Sequence, residues 1–251
     1  MTVLVLRLEG PMQSWGISRF LHRDTHRVPT KSGVAGLLAC ALGRPWGADM
    51  TDLIGLDMAV RVDRAGVILP DFVTIGHFPS LDVHRSYEVG GAIKGPALVT
   101  KDYLHDASFL AVLSGDETLL TECAAALQNP VWALYLGRRS CPPSVPVLVG
   151  LDPRSTDEVL EDAATRPIDV DGPRAHVVRD TTDLVHAQLT PEIPGANRVS
   201  FRARYTTTTS LEIGALTRPG HASRPTKKAK GSTARHTPGA NDPLALLEGI
   251  L

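Results

Sequence analysis

The sequence contains few cysteines and few aromatic residues. Its three cysteines, Cys40, Cys123 and Cys141, form neither a CxxC pair nor an even set, so we expect no disulfide framework and no structural metal site. Aromatic residues make up 5% of the 251 residues, whereas the hydrophobic fraction of 43% is that of an ordinary globular protein. A chain of this length can bury one substantial core with an elaboration, or two small domains.

Long apolar runs and the common nucleotide-binding and nucleophile motifs are also absent. No run approaches the roughly 20 residues that span a bilayer, so we expect no membrane association. The first residues, 2–8, are too short and too alternating for a signal peptide, which predicts a cytoplasmic protein. There is no Walker loop, dinucleotide fingerprint or GxSxG motif, and no cofactor is predicted.

Carboxylates are missing from one long segment. No Asp or Glu occurs between Ile213 and Asn241, although the chain as a whole has a net charge of −1. The cationic residues of this segment are Arg218, Arg224, Lys227, Lys228, Lys230 and Arg235. The compensating acid lies mainly within residues 152–192. Such segregation suits a protein with one face on a polyanion, although a merely solvated surface explains charge runs equally well.

The hydrophobic periodicity predicts an α+β fold. Residues 2–8 alternate as a strand, Thr30 caps a first helix and Asp116 caps a second. Further strands are predicted at 58–62, 106–113 and 145–150. The resulting order of strand, helix, strand, insertion, strand, helix, strand is the split βαβ of a ferredoxin-like fold, which RNA-recognition modules share.

Three regions are predicted along the chain. Residues 1–150 form the ferredoxin-like domain, with an inserted β-hairpin at about 71–105 that has a mobile tip. Residues 151–214 form a smaller β-rich C-terminal region. Residues 215–242, rich in Pro, Gly, Ser, Lys and Arg, form a basic and flexible tail.

Three segments have a specific sequence. Residues 10–16 read Gly-Pro-Met-Gln-Ser-Trp-Gly, residues 27–38 read Arg-Val-Pro-Thr-Lys-Ser-Gly-Val-Ala-Gly-Leu-Leu, and residues 135–142 read Tyr-Leu-Gly-Arg-Arg-Ser-Cys-Pro. With Tyr-Leu-His-Asp-Ala-Ser-Phe at 103–109 between them, their order and spacing closely resemble the CasD family. CasD proteins are the Cas-five-type subunits of the type I-E CRISPR Cascade complex. The resemblance covers residues 1–150 well and only the general layout beyond them.

The resemblance implies a ferredoxin-like RAMP domain with a thumb hairpin. It also implies a subunit that holds the 5′ handle of the CRISPR guide RNA in an antiviral ribonucleoprotein complex. Such a subunit caps the filament of Cas-seven-type backbone subunits and abuts the Cas-eight-type large subunit, CasA, with target DNA reached through the complex. Because a separate Cas-six-type endonuclease cuts the precursor in type I-E systems, no catalytic residue is expected. The thumb maps onto residues 71–105, and its candidate residues are Arg85, Lys94, Tyr103 and His105.

The start of the first helix is a candidate phosphate site. Helix N-termini present unpaired N–H groups and a partial positive charge, and Lys31 and Ser32 add an ammonium and a hydroxyl. Gly33 has no side chain to block close approach. The alternative is an ordinary Thr30 cap beside an exposed lysine.

The loop at 137–140 and the segment at 13–15 supply the other candidates. We expect one of Arg138 and Arg139 to contact RNA while its neighbour pins the loop or meets a carboxylate such as Glu9. Trp15 either stacks on an unpaired nucleotide, with Gln13 hydrogen-bonded to it, or packs onto the core. The predicted RNA-binding residues are Gln13, Ser14, Trp15, Arg27, Thr30, Lys31, Ser32, Gly33, Arg138, Arg139 and Ser140.

Two other functions remain open at this stage. A metal-independent endoribonuclease, as in type I-C relatives, would need a general acid and base, for which Lys101, Tyr103 and His105 on one strand face are candidates. The protein could also be a scaffold that contacts no RNA, but this hypothesis does not explain why the chain has several basic segments. His22 and His26 are a weak metal signal, since no further ligand stands at a useful spacing.

Overall fold

A computed structural model describes residues 2–16, 21–75, 88–89, 92–93, 97–167, 170, 174–183, 187–194 and 201–213. The first elements are β1 (Val3–Gln13), β2 (His22–Arg23), α1 (Lys31–Ala41), α2 (Thr51–Gly55), β3 (Asp57–Arg64), β4 (Val67–Ile75), β5 (Glu88–Val89) and β6 (Ala92–Ile93). They are followed by β7 (Ala97–Ser114), α3 (Glu117–Gln128), β8 (Leu148–Asp152), α4 (Thr156–Glu161), β9 (Arg174–Asp180), β10 (Gln188–Pro194) and β11 (Phe201–Glu212). The prediction of a mixed α+β fold is confirmed.

The long strand β7 organises a large, mostly antiparallel sheet. It pairs antiparallel with β1, β3 and β4, and parallel with the short β2. The main path through the sheet is β10-β11-β9-β3-β7-β1-β8. Because side chains alternate along a strand, this pairing gives the sheet two faces with separate sets of residues.

The two faces bury two cores. On the first face, Leu4, Leu6 and Leu8 of β1 join apolar side chains of α1, α2 and α3. On the second face, Val3 and Val5 pack with residues of β3, β7, α4 and β9. The alternation of β1 is therefore buried on both sides, as expected for a strand inside a sheet that is covered by helices.

The two longer helices begin at the predicted caps. The Thr30 hydroxyl accepts a hydrogen bond from the Gly33 N–H at 3.2 Å, and the Asp116 carboxylate accepts one from the Leu119 N–H at 2.8 Å. Each cap satisfies an N–H group that the first helical turn leaves without an intrahelical partner. Both predicted helix starts are confirmed.

Strands β4 and β7 form an arm that projects beyond β1. Strand β3 ends at Arg64 and β4 begins at Val67, and both run antiparallel along β7, one after the other. Strand β1 pairs with β7 only as far as Leu104, so β4 and residues 97–103 of β7 extend past it. The predicted hairpin at 71–105 overlaps this arm, which begins earlier, at Val67, and Arg85 and Lys94 lie outside the described residues.

The strands that follow residue 150 belong to the same sheet. Strand β9 pairs with β3, and β11 and β10 follow it in order. The boundary that we predicted at residue 150 therefore does not coincide with a break in the sheet, and residues 1–216 form one compact unit. The basic segment 215–242 lies outside the described residues. Among the helices that the structure describes, none has the length and apolar character to cross a bilayer.

A buried carboxylate holds three arginines on the second face of the sheet. Asp63 lies 2.6 Å from the Arg7 guanidinium, 2.7 Å from that of Arg61 and 3.6 Å from that of Arg166. Arg61 also donates to the carbonyl oxygens of Leu160, at 2.7 Å, and Asp162, at 3.1 Å. Burial lowers the pKa of the fully buried Arg61, and Asp63 opposes this shift. These interactions hold the C-terminal end of α4 against β3.

Asp63→Asn should lower the free energy of unfolding by about 3–5 kcal/mol, because it leaves three arginines buried without their shared counter-charge. Urea denaturation followed by circular dichroism measures the change. Asp106→Asn, at a carboxylate whose side chain is 80% exposed, is the matched control and should cost less than about 1 kcal/mol. Equal destabilisation by the two variants would contradict the role of Asp63.

Candidate functional site

The three specific segments meet at one place in the structure. A Cβ atom at Gly137, whose φ is +89°, would lie 1.6 Å from the carbonyl oxygen of Ser14. The Ser14 N–H donates to the Leu136 carbonyl at 3.0 Å. A Cβ atom at Gly33 would lie 2.7 Å from the ring of Trp15. Glycine at these two positions allows residues 10–16, 27–38 and 135–142 to form a single cluster.

The residues Gln13, Ser14 and Trp15 lie inside the fold. Trp15 is 1% exposed and Gln13 is 0% exposed. The Trp15 indole donates to the Gln13 side-chain oxygen at 2.9 Å, and the Gln13 amide nitrogen donates to the Ala107 carbonyl at 2.8 Å. Of the two roles left open for Trp15, the structure shows packing onto the core. The prediction that Trp15 stacks on a nucleotide is wrong, because a ring buried to this extent presents no face for stacking.

The ammonium group at the start of α1 points to a carboxylate of the same chain. Lys31 is buried, and its Nζ atom lies 2.9 Å from Asp180 at the end of β9. Arg204 of β11 lies 2.5 Å from the other oxygen of Asp180. Burial alone would raise the pKa of Asp180, but Arg204 and Lys31 outweigh it and hold this pKa below its usual value. Lys31 thus ties α1 to the C-terminal strands. The sequence had predicted either a phosphate contact or an exposed ammonium group for this residue.

The two adjacent arginines have different surroundings. Arg138 donates to the carbonyl oxygens of Asp102 and Arg23, each at 2.9 Å, and its guanidinium lies 4.9 Å from the centre of the Tyr103 ring. This arginine pins the loop, which is one of the two roles predicted for the pair. Arg139 is exposed. The arginine that is available to an outside ligand is therefore Arg139.

The other predicted residues are partly accessible. Ser32 and Gly33 are half-buried in the first turn of α1, and Arg27 is exposed. Ser140 is exposed, and its hydroxyl lies 3.3 Å from that of Tyr103. His105 is half-buried. His22, one of the two histidines of the weak metal signal, is hydrogen-bonded to the Asp102 side chain at 2.9 Å.

A groove of about 440 Å³ runs along the outer face of α1. It is lined by Ser32, Gly33, Gly36, Leu37, Ala39, Cys40, Arg44, Trp46, Trp132, Tyr135, Gly137 and Arg139. The lining extends from the first turn of the helix to its last. Among these described lining residues there are two arginines and no carboxylate. Arg44 is paired with Asp52 at 2.5 Å, so the cationic character of the groove rests on Arg139.

Two tryptophans of this groove were not identified from the sequence. Trp132 is held against the last turn of α1, because the Val131 N–H donates to the Ala41 carbonyl at 3.0 Å and the Cys40 thiol donates to the Ala133 carbonyl at 3.5 Å. Trp46 follows the same helix in the sequence. Their signal was weak: both lie outside the three segments, and exposure of an aromatic ring cannot be deduced from its neighbours in sequence.

The fold and this cluster define a CRISPR-associated protein. The chain belongs to the family of CRISPR-associated protein (Cas_Cas5), whose family model matches residues 3–216. It is 36% identical over 164 residues to the CRISPR system Cascade subunit CasD of Escherichia coli K12, which covers 59% of this chain and 70% of that protein. The resemblance to the CasD family is confirmed.

Two solved structures resemble the chain over most of its length. A chain of a CRISPR RNA-guided surveillance complex superposes with a TM-score of 0.69 and is 29% identical, covering 84% of this chain and 90% of that one. A crystal structure of a Cas protein superposes with a TM-score of 0.63 and is 36% identical, covering 84% of this chain and 95% of that one. The fold of the family therefore extends over the described strands on both sides of residue 150.

Asp180→Asn should lower the free energy of unfolding at neutral pH by roughly 2 kcal/mol, because Lys31 and Arg204 lose a shared counter-charge. A carboxylate with a lowered pKa stabilises the fold above its unfolded pKa of about 4 and loses this effect as the pH falls through the folded pKa. Denaturation at neutral and acidic pH measures both. A difference between the two proteins that does not shrink in acid would contradict the role of the ion pair.

Proposed function

We propose that the chain is a non-catalytic RNA-binding subunit of a type I-E CRISPR Cascade complex, which holds the 5′ handle of the guide RNA. The observation that carries the proposal is the convergence of three segments beside a groove that contains an exposed Arg139 and, among its described lining residues, no carboxylate. Membership of the Cas5 family and the likeness to a chain of an RNA-guided surveillance complex support it. The strand order β8-β1-β7-β3 supports a ferredoxin-like RAMP domain.

The groove offers two kinds of phosphate ligand. The first turn of α1 contributes backbone N–H groups, a partial positive charge and the Ser32 hydroxyl. Arg139 contributes a planar guanidinium that can donate two parallel hydrogen bonds to one phosphate. Lys31 supports this arrangement indirectly, since its bond to Asp180 positions the helix start. The RNA chain would lie along the groove with its phosphates toward these two elements.

The arm formed by β4 and β7 is the proposed contact with the backbone subunits. It exposes large apolar side chains, namely Val67, Leu69, Phe72 and Leu98. Because side chains alternate along paired strands, Val67 and Leu69 lie on one face of the arm, and Phe72 and Leu98 lie on the other. Exposed apolar side chains are common at protein interfaces, and a projecting arm can reach a neighbouring Cas-seven-type subunit. This thumb-like arm would let the chain cap the backbone, with the large subunit CasA beside it and target DNA contacted through the assembled complex.

The surroundings of Tyr103 and His105 on β7 do not favour the alternative function of an endoribonuclease. Cleavage needs a general acid and a general base that both reach the ribose and the leaving oxygen. Tyr103 is 6% exposed, with its ring against Arg138 and its hydroxyl next to Ser140. We therefore propose that Tyr103 and His105 have structural or RNA-contacting roles.

A reducing, cytoplasmic setting suits the three cysteines. Cys40, Cys123 and Cys141 are all buried free thiols. Burial raises the pKa of Cys123 to about 11, which suppresses the reactive thiolate.

Arg139→Ala should weaken binding of the guide RNA about tenfold and reduce the slope of log affinity against log salt by about 1, because one charged phosphate contact is lost. Titration of the purified protein with RNA that carries the host's guide 5′ end, at several salt concentrations, measures both quantities. Arg174→Ala, at an arginine whose side chain is 71% exposed on β9, is the matched control and should change neither. Similar losses in both variants would contradict a specific site at Arg139.

His105→Ala should leave the processing of precursor RNA unchanged, because no proton transfer is assigned to this side chain. The chain is co-expressed with its neighbouring CRISPR-associated genes, and the length of the RNA in the purified particle is measured. The chain alone is incubated with repeat RNA in parallel. Cleavage by the purified chain that disappears in His105→Ala would support the endoribonuclease instead.

A further inference from the structure

Two of the three tryptophans in the chain lie at the surface of the groove. Trp46 is 78% exposed and Trp132 is 46% exposed, whereas Trp15 is buried. Tryptophan is highly buried on average, so two exposed rings that border one groove need an explanation. Neither ring belongs to the three segments from which the RNA-binding role was predicted.

The surroundings of these rings suit a nucleotide. Their neighbours in the groove include Arg139, and the described lining residues carry no negative charge that would repel a phosphate. Gly36 leaves the floor open, since a Cβ atom placed there would meet nothing within 4 Å. The volume of about 440 Å³ is within the range of small-ligand pockets. Aromatic rings beside a cationic backbone site are the usual elements of single-strand binding.

The position of Trp132 is set before any ligand binds. Its flanking residues are hydrogen-bonded to the last turn of α1, through the Val131 N–H and the Ala133 carbonyl. Arg139 lines the same groove as Trp132 and as Cys40 of this turn. A ring that is already positioned loses little conformational entropy when a base stacks on it.

We propose that Trp46 and Trp132 stack on unpaired bases of the RNA whose phosphates are held by Arg139 and the start of α1. This inference rests on the proposed function and adds to it a base-contacting site outside the three segments. Charge complementarity favours RNA as the occupant over a protein segment, because the groove combines arginine and aromatic rings with no carboxylate among its described lining residues. The stack is tolerant of base identity, since every base has a π-face.

Intrinsic fluorescence provides a direct test, because the chain has only three tryptophans. The full-length protein is titrated with single-stranded RNA that carries the host's guide 5′ end, and with oligoadenylate and oligouridylate. Stacked bases should quench the emission of Trp46 and Trp132. The double variant Trp46→Phe with Trp132→Phe retains only the buried Trp15, and its emission should not respond to RNA.

Affinity is measured in parallel by gel shift. Trp46→Ala and Trp132→Ala should each weaken RNA binding by about 5- to 150-fold, the range expected for loss of one stacked base. Val149→Ala removes an exposed apolar side chain outside the groove and should have no effect.

The outcomes separate this inference from the proposed function. RNA binding that is retained with unchanged tryptophan emission would overturn the stacking and leave the RNA-binding role standing. Emission that responds to the neighbouring protein subunits but not to RNA would assign the two rings to a protein interface and also overturn the stacking. Failure of the wild-type chain to bind any RNA would overturn both proposals.

Discussion

The fold depends on the pairing of one long strand. Strand β7 runs for 18 residues and supplies hydrogen-bond partners to β1, β3, β4 and β2. Its C-terminal half lies in the middle of the sheet and is buried on both faces, while its N-terminal half is one side of the arm. Strand β7 therefore connects the core to the arm, and the register of the central sheet determines the direction in which the arm extends.

Buried charges extend this framework to the C-terminal strands. Asp63 is paired with three arginines and Asp180 with two cationic side chains, and all of these partners except Arg61 are distant in sequence. Such ion pairs are costly to desolvate, so their net contribution to stability is modest, but removal of one partner is expensive. Their main effect is to specify one arrangement of α1, α4 and β9 on the sheet. The Lys31–Asp180 pair in particular orients the helix start beside which we place the RNA.

Local features of the fold were predictable, and contacts between distant residues were not. The caps Thr30 and Asp116 were identified because a cap is a short-range interaction. Strand β7 was expected at 106–113 but spans Ala97–Ser114. Asp106, where the expected strand began, has a φ of +52°. The chain passes through this irregular position and continues pairing. The direction of Lys31 depends on Asp180, 149 residues away, which no local pattern reveals.

The same distinction applies to the candidate site. The three segments that the sequence singled out lie in contact in the structure. Which side chains face outward was not predictable, because burial of Trp15 and exposure of Arg139 depend on how α1 packs against the loop at 137–140. The groove itself is formed between α1, residues 44–46 and residues 132–139, so its two tryptophans come together only in three dimensions.

The bonding of Arg138 affects how mutagenesis of this loop should be interpreted. Its guanidinium donates to three carbonyl oxygens, those of Arg23, Asp24 and Asp102, and covers the Tyr103 ring. Lysine lacks the planar, spread arrangement of donors that reaches these separate carbonyl groups and covers the ring, so even a charge-preserving exchange would loosen the loop. An alanine scan would then record residue 138 as essential for RNA binding, although Arg139 is the residue that we propose to contact RNA. Adjacent arginines of this kind are best separated by combining each substitution with a measurement of loop integrity.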